Sequence, residues 1–466
     1  MSDKYTPILR DWIYPLAQRV QNRNYSKLMI EANKNQFLSQ DELQDIQFNK
    51  LTALLHHSYS SVPHYRGTFD LVGLKPEDIR SWDDFSKIPI LKKDQIRKNP
   101  DGFVSRNLRS PIRRIRTSGS TGSPLRFHLS QDTSASANVS RIRALRWWGL
   151  ELGDREVRVW TLGAGLEPVF WTAIKKRWKI FYRDTLMNRR TFDVNKMTPQ
   201  NMDKLWWFIK KYHPKYLFCY ASFSYNFAKF VRERKYDGHS LDFKAIVTSA
   251  EISYDWQIQL IHDVFGCPVA NEYGATEVGV IGYSSPCGEI HLMDDFIITE
   301  IIKSHPDNEF GEVVITQLEN WSSPLIRYNL QDLAIPLEDT TPCPLGLGLS
   351  RIKSVLGRHH DLIRLSDGQI VHGQFFSNLM VRTPSVRLFQ VIQKEPDSFE
   401  ILVVTDKDEF PTDEENFLKA KIHKYMGPVE VIITPVPDIP RETSGKFRFV
   451  RSEVNQVSIQ NHFPSH

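Results

Sequence analysis

Short buried strands alternate with amphipathic helices through the middle of this chain, and this alternation restricts its fold more than any other feature. The segments 157–162, 216–220 and 245–248 are short and apolar, whereas 198–211 and 254–265 carry apolar residues at helical spacing. A connection between parallel strands needs a crossover, which is most often a helix. The alternation therefore predicts a parallel sheet with crossover helices.

The pattern changes after Gly288. Residues 296–302 and 312–316 alternate with period two and have little helix between them, so they predict strands without crossovers. Residues 336–350 are rich in Pro, Gly and Thr, which is typical of a loop or linker. Beyond Gly357, further strand patterns and one helix predict a small α+β domain.

The length of the chain requires more than one hydrophobic core, because single cores stop growing beyond roughly 250–300 residues and the chain has 466. We expect an α/β protein with two domains. Residues 1–356 are predicted to form a large domain of mixed and parallel sheets with crossover helices, and residues 357–466 a small, mobile α+β domain.

Charge and composition exclude several classes of protein. The net charge of +5 is too small for this length to indicate a nucleic-acid partner. Asp3, Lys4, Arg10 and Asp11 occupy the part of the N-terminus where a signal peptide would be apolar. No apolar run approaches the ~20 residues of a membrane span, and the four scattered cysteines suit a reducing compartment. We therefore expect a cytoplasmic protein.

Residues 116–124 (RTSGSTGSP) combine glycines with hydroxyl side chains. Such a run lets the backbone bend closely around a ligand and directs several N–H and O–H donors to one place, as phosphate-binding loops do. By itself the segment also fits an ordinary Gly/Ser turn. It is not a Walker motif, because no Gly-Lys-Ser/Thr follows.

Four further segments contain residues that could bind a substrate or take part in catalysis. Each alone also fits a turn, a strand end or a solvated side chain. Residues 271–277 (NEYGATE) offer an aromatic ring, a hydroxyl and a carboxylate, and a single carboxylate is enough for nucleotide-bound magnesium. Asp332 follows a predicted strand and could accept hydrogen bonds from a ribose diol. Arg358 lies at the predicted domain boundary, and Lys446 follows Ser-Gly in a C-terminal loop.

Taken together and in this order, the five segments resemble the adenylate-forming superfamily of acyl-CoA synthetases, adenylation domains and luciferases. Within it the chain is similar to the phenylacetate–CoA ligase family, and more narrowly to the branch often encoded with capsule and surface-polysaccharide genes. The stretches LLHHSYSSVPHYRGTFD and WDDFSKIPILKKDQIRKN match that branch, and the resemblance runs from about Leu43 to Arg451.

The resemblance implies an ATP site built from all five segments. It assigns the β- and γ-phosphates to a loop of six residues: Thr117, Ser118, Gly119, Ser120, Thr121 and Gly122. It assigns the adenine pocket to Ser249, Ala250, Glu251, Tyr273 and Gly274. The remaining roles are the ribose for Asp332 with Arg358 beside it, the α-phosphate for Thr276, magnesium for Glu277, and catalysis for Lys446.

The chemical reason for this set is charge, since a carboxylate must approach an α-phosphate that is itself anionic. A lysine, a magnesium ion and oriented amides oppose that repulsion. The family also implies that the small domain rotates about a hinge near Arg358-His359-His360. His360 replaces the usual acid or lysine there, so the behaviour of the hinge stays open.

Some relatives carry a zinc site after the Tyr-Gly-x-Thr-Glu segment. Cys287 and His291 match its first half and Cys343 matches part of its second half, whose other cysteine is missing. Structural zinc normally takes four protein ligands. We expect a degenerate site that does not bind zinc, with a three-ligand or recruited-ligand site as the alternative.

The acid pocket is expected around Tyr220 and Phe223, whose rings suit an aryl acid or simply pack in a core. Coenzyme A is the first choice of acceptor, and the product would be a thioester. The alternative in the surface-polysaccharide branch is an amide between an acid or uronic acid and an amine. A carrier-protein acceptor and a catalytically weak scaffold are further alternatives, and the resemblance allows a homodimer.

Overall fold

The structure is a computed structural model. It describes residues 5–20, 24–108, 112–116, 126–161, 184–306, 308–337, 341–358, 362–367, 370–405, 409–442 and 445–454.

Helices dominate the first third of the chain and recur between the strands. The α-helices are α1 Tyr5–Ile8, α2 Tyr14–Val20, α3 Tyr25–Asn35, α4 Gln40–Ser61, α5 Pro63–Val72, α6 Trp82–Ser86, α7 Lys93–Lys98, α8 Gln131–Trp147, α9 Pro199–Tyr212, α10 Ala221–Glu233, α11 Asp255–Phe265, α12 Gln374–Val381 and α13 Thr412–Met426. A π-helical turn at Leu9–Ile13 joins α1 to α2, and 3₁₀ turns lie at Pro76–Asp78, Pro100–Phe103, Val194–Lys196 and Gly238–Leu241.

The strands fall into one large sheet and three small ones. They are β1 Ile112–Arg116, β2 Arg126–Ser130, β3 Glu156–Trp160, β4 Arg189–Asp193, β5 Tyr216–Tyr220, β6 Ala245–Ser249, β7 Val269–Ala275, β8 Gly279–Ser284, β9 Ile290–Leu292, β10 Ile297–Ile302, β11 Gly311–Gln317, β12 Tyr328–Pro336, β13 Arg351–Arg358, β14 Leu362–Arg364, β15 Ile370–His372, β16 Val386–Glu395, β17 Ser398–Thr405, β18 Glu430–Pro435 and β19 Val450–Ser452.

The large sheet has eleven strands in the order β10-β11-β12-β13-β9-β8-β7-β6-β5-β3-β4. Its β4-β3-β5-β6-β7 half is parallel, and the remaining pairs are antiparallel. This confirms the predicted α/β fold class, and the helices predicted at 198–211 and 254–265 are α9 and α11. The change from parallel to antiparallel pairing occurs where β7 reverses into β8.

Helix α4 begins with a capping box. The Ser39 hydroxyl accepts the Glu42 N–H, while the Glu42 carboxylate accepts the Ser39 N–H, so two donors at the helix start are satisfied. Apolar residues along one face, Leu43, Leu51, Leu54 and Leu55, are buried. The N-terminal helices therefore pack on the antiparallel half of the large sheet.

The small domain has its own core. Strands β18-β17-β16-β19 form a four-stranded sheet, with the β14–β15 hairpin beside it. Phe376 on α12, Phe399 on β17 and Leu418 on α13 are buried in one cluster. This matches the small α+β domain expected beyond Gly357.

The composition of residues 336–350 predicts a loop or linker, and the structure selects the loop. The described residues of this segment lie between β12 and β13 of the large sheet. The segment is therefore a loop of the large domain, because β13 pairs with β12 and leaves the sheet only after Arg358. Within the described ranges, no helix combines the length and apolar character that crossing a membrane requires.

A buried ion pair ties the N-terminal helices to the large sheet. Arg143 on α8 donates to both carboxylate oxygens of Asp295, at 2.8 and 3.0 Å, and to the Ala32 carbonyl at 3.1 Å. Both side chains of the pair are 0 % exposed. A charge at either position would be costly without its partner.

We expect Asp295→Ala to lower the free energy of unfolding of the large domain by about 3–5 kcal/mol, because it leaves the Arg143 guanidinium buried and unpaired. Urea unfolding followed by tryptophan fluorescence measures the change. The double variant Arg143→Met/Asp295→Leu should recover most of the loss. Glu31→Ala, which removes a solvent-exposed pair with Lys27, is the control and should cost less than about 1 kcal/mol. Equal effects of Asp295→Ala and Glu31→Ala would contradict the interpretation.

Candidate active site

The candidate active site lies at the carboxyl ends of the parallel strands, where β7 reverses into β8. Ligands of open α/β sheets bind at such ends. Residues 271–277 run along β7 into the turn that follows it. Glycine is required at position 274, since a Cβ there would come within 2.5 Å of the Gly279 carbonyl oxygen.

Tyr273, Asp332 and Arg358 meet in one cluster. The Tyr273 hydroxyl donates to Oδ2 of Asp332 at 3.1 Å, and Nε of Arg358 donates to Oδ1 at 3.3 Å. Asp332 and Arg358 lie opposite each other on β12 and β13, so strand pairing sets their distance. Burial, followed by the Asp332 charge, raises the pKa of Tyr273, which keeps its hydroxyl protonated as a donor.

Glu277 follows the same turn and is buried. The Tyr328 hydroxyl donates to its Oε1 at 3.1 Å, and the Gln317 amide holds the neighbouring backbone at the Val278 carbonyl, at 3.0 Å. Within the described part of the chain, Oε2 of Glu277 accepts no hydrogen bond. That oxygen is therefore suited to a cation such as magnesium.

Lys446 reaches this cluster from the small domain. The preceding Gly445 has a φ of +82°, and a Cβ there would overlap Oγ1 of Thr161, so glycine lets the tail approach the large domain. Burial lowers the pKa of Lys446 and the nearby Arg358 charge lowers it further, whereas Asp332 raises it. The structure thus brings Lys446, Asp332 and Arg358 together, as the resemblance implies.

Glu251 contacts the small domain. The resemblance assigns this residue to the adenine pocket and does not predict this contact. Its Oε1 accepts the Phe447 N–H and its Oε2 accepts the Ser222 N–H, both at 2.7 Å. Arg441 lies 3.7 Å from Oε1 and donates to the Ser222 hydroxyl at 2.8 Å. We call Glu251, Ser222, Arg441 and Phe447 the tail-docking contact. It anchors the residue directly after Lys446.

The turn that carries Glu251 is strained. Ala250 has a φ of +71°, a region that residues with a Cβ seldom adopt. Ser249, just before it, is buried and donates to Oε1 of Glu272 at 3.1 Å. Strain of this kind is found where tertiary contacts dictate the backbone, and here the tail-docking contact lies beside it.

Lys93 belongs to the site although the sequence did not single it out. Its Nζ donates to the Leu330 carbonyl at 2.7 Å. Burial and the Arg358 charge lower its pKa, whereas the charges of Glu277 and Asp332 raise it. The only pointer was its place in the matched stretch WDDFSKIPILKKDQIRKN, because the bridge between Leu91 and Tyr328 that positions it is a tertiary contact.

Several expected residues remain predictions. Thr276 is exposed in the turn after β7. The six phosphate-loop residues lie outside the described residues: Thr117, Ser118, Gly119, Ser120, Thr121 and Gly122. His359 and His360 of the predicted hinge also lie outside them.

The two predicted pocket residues have different surroundings. Tyr220 stacks on Trp160 with ring centroids 4.1 Å apart, and its hydroxyl lies 3.2 Å from Oγ1 of Thr161, next to the Lys446 loop. Phe223 is buried and stacks on Phe227, so its ring belongs to the hydrophobic core. Tyr220 is thus nearer to the candidate site than Phe223.

The residues of the expected degenerate zinc site are only partly assembled. The Sγ atoms of Cys287 and Cys343 are 3.4 Å apart. His291 packs against Trp147, and burial lowers the pKa of its imidazole to about 4. Among the residues that the structure describes, no three His, Cys, Asp or Glu side chains are grouped to hold a metal ion.

The charges around the cluster fit a magnesium nucleotide. Lys93, Arg358 and Lys446 supply positive charge for phosphate oxygens, Asp332 can accept hydrogen bonds from a ribose, and Glu277 can bind a metal ion. The electrostatic couplings among these five groups place them in one neighbourhood.

Comparison with known proteins finds similar sequences and similar solved structures. Residues 363–453 match the CapK C-terminal domain family. The chain is 27% identical over 336 residues to phenylacetate-coenzyme A ligase of Pseudomonas putida, which covers 70% of this chain and 72% of that protein. It is 23% identical over 350 residues to Protein CapK of Staphylococcus aureus, which covers 72% of each. These similarities support the phenylacetate–CoA ligase family and the capsule-associated branch that the sequence motifs indicate.

The fold of this chain is that of adenylate-forming ligases. A crystal structure of 2-hydroxyisobutyryl-CoA ligase in the postadenylation state, with R3-HIB-AMP, superposes with a TM-score of 0.72 over 91% of this chain and 92% of that chain, at 18% identity. The same ligase in the thioesterification state gives a TM-score of 0.60.

Glu251→Ala should release the small domain, because the Phe447 and Ser222 N–H groups and the Arg441 guanidinium lose their shared acceptor. We expect a larger radius of gyration by small-angle X-ray scattering. Glu251→Gln keeps an acceptor oxygen and should stay closer to the wild type. An unchanged radius for Glu251→Ala would show that other contacts hold the small domain.

Proposed function

We propose that this protein is an ATP-dependent, adenylate-forming ligase that activates a carboxylic acid as an acyl-adenylate and releases pyrophosphate. One observation carries the proposal. Lys446 of the small domain is close enough to Asp332 and Arg358 of the large domain for their charges to affect its pKa, and those two residues pair with each other in the proposed nucleotide site.

The reaction requires two anions to meet. The carboxylate oxygen of the acid attacks the α-phosphorus of ATP, and the bond from phosphorus to the pyrophosphate oxygen breaks. Lys446 offsets the repulsion between carboxylate and α-phosphate, and Lys93 and Arg358 add positive charge for the triphosphate. In this assignment Asp332 holds the ribose, Thr276 the α-phosphate and Glu277 the magnesium ion, with residues 117–122 around the outer phosphates.

The coenzyme A thiol is our first choice of acceptor, because the phenylacetate-coenzyme A ligase of Pseudomonas putida is among the relatives. Its sulfur would attack the acyl carbon and AMP would leave. An amine acceptor would give an amide from the same adenylate. Because ATP and coenzyme A are available in the cytoplasm, we expect the reaction to take place there.

Pyrophosphate exchange with a panel of acids tests the adenylation step, and AMP formation with coenzyme A or amino acids then identifies the acceptor. Acid-dependent exchange would support the proposal. A protein that binds no ATP and exchanges no pyrophosphate with any acid would be better described as a scaffold.

Lys446→Ala should lower acid-dependent pyrophosphate release by at least about 10²-fold, because one preorganised charge is lost from the transition state. ATP binding, measured by calorimetry, should survive since Asp332, Tyr273 and Arg358 remain. Lys424→Ala, which changes an exposed lysine on α13, is the control and should retain full activity. Normal release by Lys446→Ala would remove Lys446 from the reaction.

The rate of adenylation should fall at high pH as Lys446 loses its proton. Burial lowers the pKa of this lysine, so the fall should begin at a lower pH than for an exposed lysine. Arginine stays protonated throughout this range. Lys446→Arg should therefore shift the alkaline limb of the pH–rate profile upward in whatever activity it retains. An unshifted limb would assign the titration to another group, such as Lys93.

A further inference from the structure

A row of side chains crosses the carboxyl ends of the parallel strands on the face that α8 covers. Strand register aligns Tyr220 with Ser249, and Ser249 with Glu272. Trp160, at the end of β3, continues the row by stacking on Tyr220. The row thus runs from an aromatic pair near the Lys446 loop to a buried carboxylate.

Arg141 on α8 closes the polar end of this row. Its Nε donates to Oε2 of Glu272 at 2.5 Å and its Nη2 donates to Oε1 at 2.8 Å. Oε1 also accepts the Ser249 hydroxyl. Within the described part of the chain, Nη1 of Arg141 donates no hydrogen bond. Oε2 of Glu272 accepts only the bond from Nε of Arg141. One donor, Nη1 on the side of the guanidinium away from Glu272, and one acceptor position on Oε2 therefore remain available.

The partial exposure of Arg141 indicates an opening beside this side chain. The Arg141 side chain is 29% exposed, although Phe218, Tyr283 and Glu272 around it are all buried. Asn138, one helical turn earlier on the same face of α8, is also partly exposed. Its amide makes no hydrogen bond to the described residues. The opening is thus lined by unused polar groups.

The opening is connected to the proposed reaction centre through aromatic rings. The guanidinium of Arg141 lies 5.6 Å from the centroid of the Phe218 ring, and the Trp160 ring centroid lies 5.5 Å from it. Trp160 stacks on Tyr220, whose hydroxyl contacts Thr161 beside Gly445. A ligand with its carboxylate at Lys446 and its body along these rings would extend toward Arg141 and Glu272.

We propose that Arg141 and Glu272 determine specificity for a carboxylic acid that carries hydroxyl groups at the end remote from the reacting carboxylate. The inference rests on the proposed adenylation. Two hydroxyl groups match these free positions, since one can accept from Nη1 of Arg141 and the other can donate to Oε2 of Glu272. An acid with a hydrocarbon tail would leave these buried polar groups unpaired, and sites of this kind reject such analogues.

The test compares acids that differ in their hydroxyl groups. Glucuronate is paired with cyclohexanecarboxylate, and gluconate with hexanoate. For each acid, kcat/KM is measured by ATP–pyrophosphate exchange with the wild type, with Arg141→Lys, and with the double variant Arg141→Met/Glu272→Leu. Arg141→Lys keeps a cation beside Glu272 and lowers the risk of misfolding. Arg146→Met is the matched control, because Arg146 lies on the same helix, is 30% exposed and pairs elsewhere, with Glu151.

We expect the wild type to prefer the hydroxylated member of each pair at least about tenfold. Arg141→Lys should raise KM for that member about 10- to 100-fold and leave the KM for ATP unchanged. The double variant should prefer the hydrocarbon acids, and Arg146→Met should behave as the wild type. A wild type that prefers hydrocarbon acids, or a preference that Arg141→Lys does not alter, overturns the inference while adenylation stands.

A lack of exchange with every acid would count against the proposed function instead. Calorimetric binding of the same acid pairs to the ATP-saturated protein then decides the inference independently. Preferential binding of the hydroxylated acids that Arg141→Lys abolishes supports it. Equal binding within each pair, or no binding of either hydroxylated acid, overturns it.

Discussion

The carboxylate of Glu251 determines where the tail of the small domain lies, and the rest of the candidate site depends on that position. Its two oxygens accept backbone N–H groups from different domains, one from Phe447 and one from Ser222. A hydrogen bond to a backbone amide leaves little freedom to the residue that carries it. Lys446 is therefore placed by its neighbour, and its long side chain only has to span the remaining distance to Asp332 and Arg358.

Charge explains why this placement matters. Lys93, Arg358 and Lys446 bring three positive charges into the neighbourhood of Glu277 and Asp332, and both lysines are partly buried. Electrostatic interactions are stronger there than in water. Burial lowers the pKa of both lysines, and the Arg358 charge lowers it further. Keeping these side chains protonated before an anion binds therefore has a cost in free energy. A triphosphate and a carboxylate would relieve that cost.

The geometry of the large sheet gives the two substrates separate places. The Tyr273–Asp332–Arg358 cluster joins the end of β7 to the antiparallel strands β12 and β13, whereas the row from Trp160 to Glu272 lies over the parallel strands. Glu272 and Tyr273 are consecutive on β7, and their side chains point to opposite faces. One strand thus contributes to both the proposed nucleotide site and the proposed acid pocket.

Local patterns in the amino-acid sequence were sufficient to predict several elements of the fold and several residues of the site. Periodicity distinguished the parallel half of the sheet from the small α+β domain, and the expected helices α9 and α11 are present because their apolar spacing is an intrinsic property of the segment. The ordered motifs were sufficient to select Tyr273, Asp332, Arg358 and Lys446, which the structure brings together. The prediction for residues 336–350 rests on composition alone, and composition does not distinguish a loop within a sheet from a linker between domains.

Contacts between side chains that are far apart in the sequence could be found only from the tertiary structure. Lys93 joins the site through a bridge between Leu91 and Tyr328, Glu251 contacts a residue almost two hundred positions away, and Arg141 meets Glu272 from a different element. The physical reason is that periodicity and turn chemistry act over a few residues, whereas the position of a charge is set by strand register and helix packing. The chemistry of the motifs could therefore be predicted from the sequence, whereas the shape and polarity of the pocket could not.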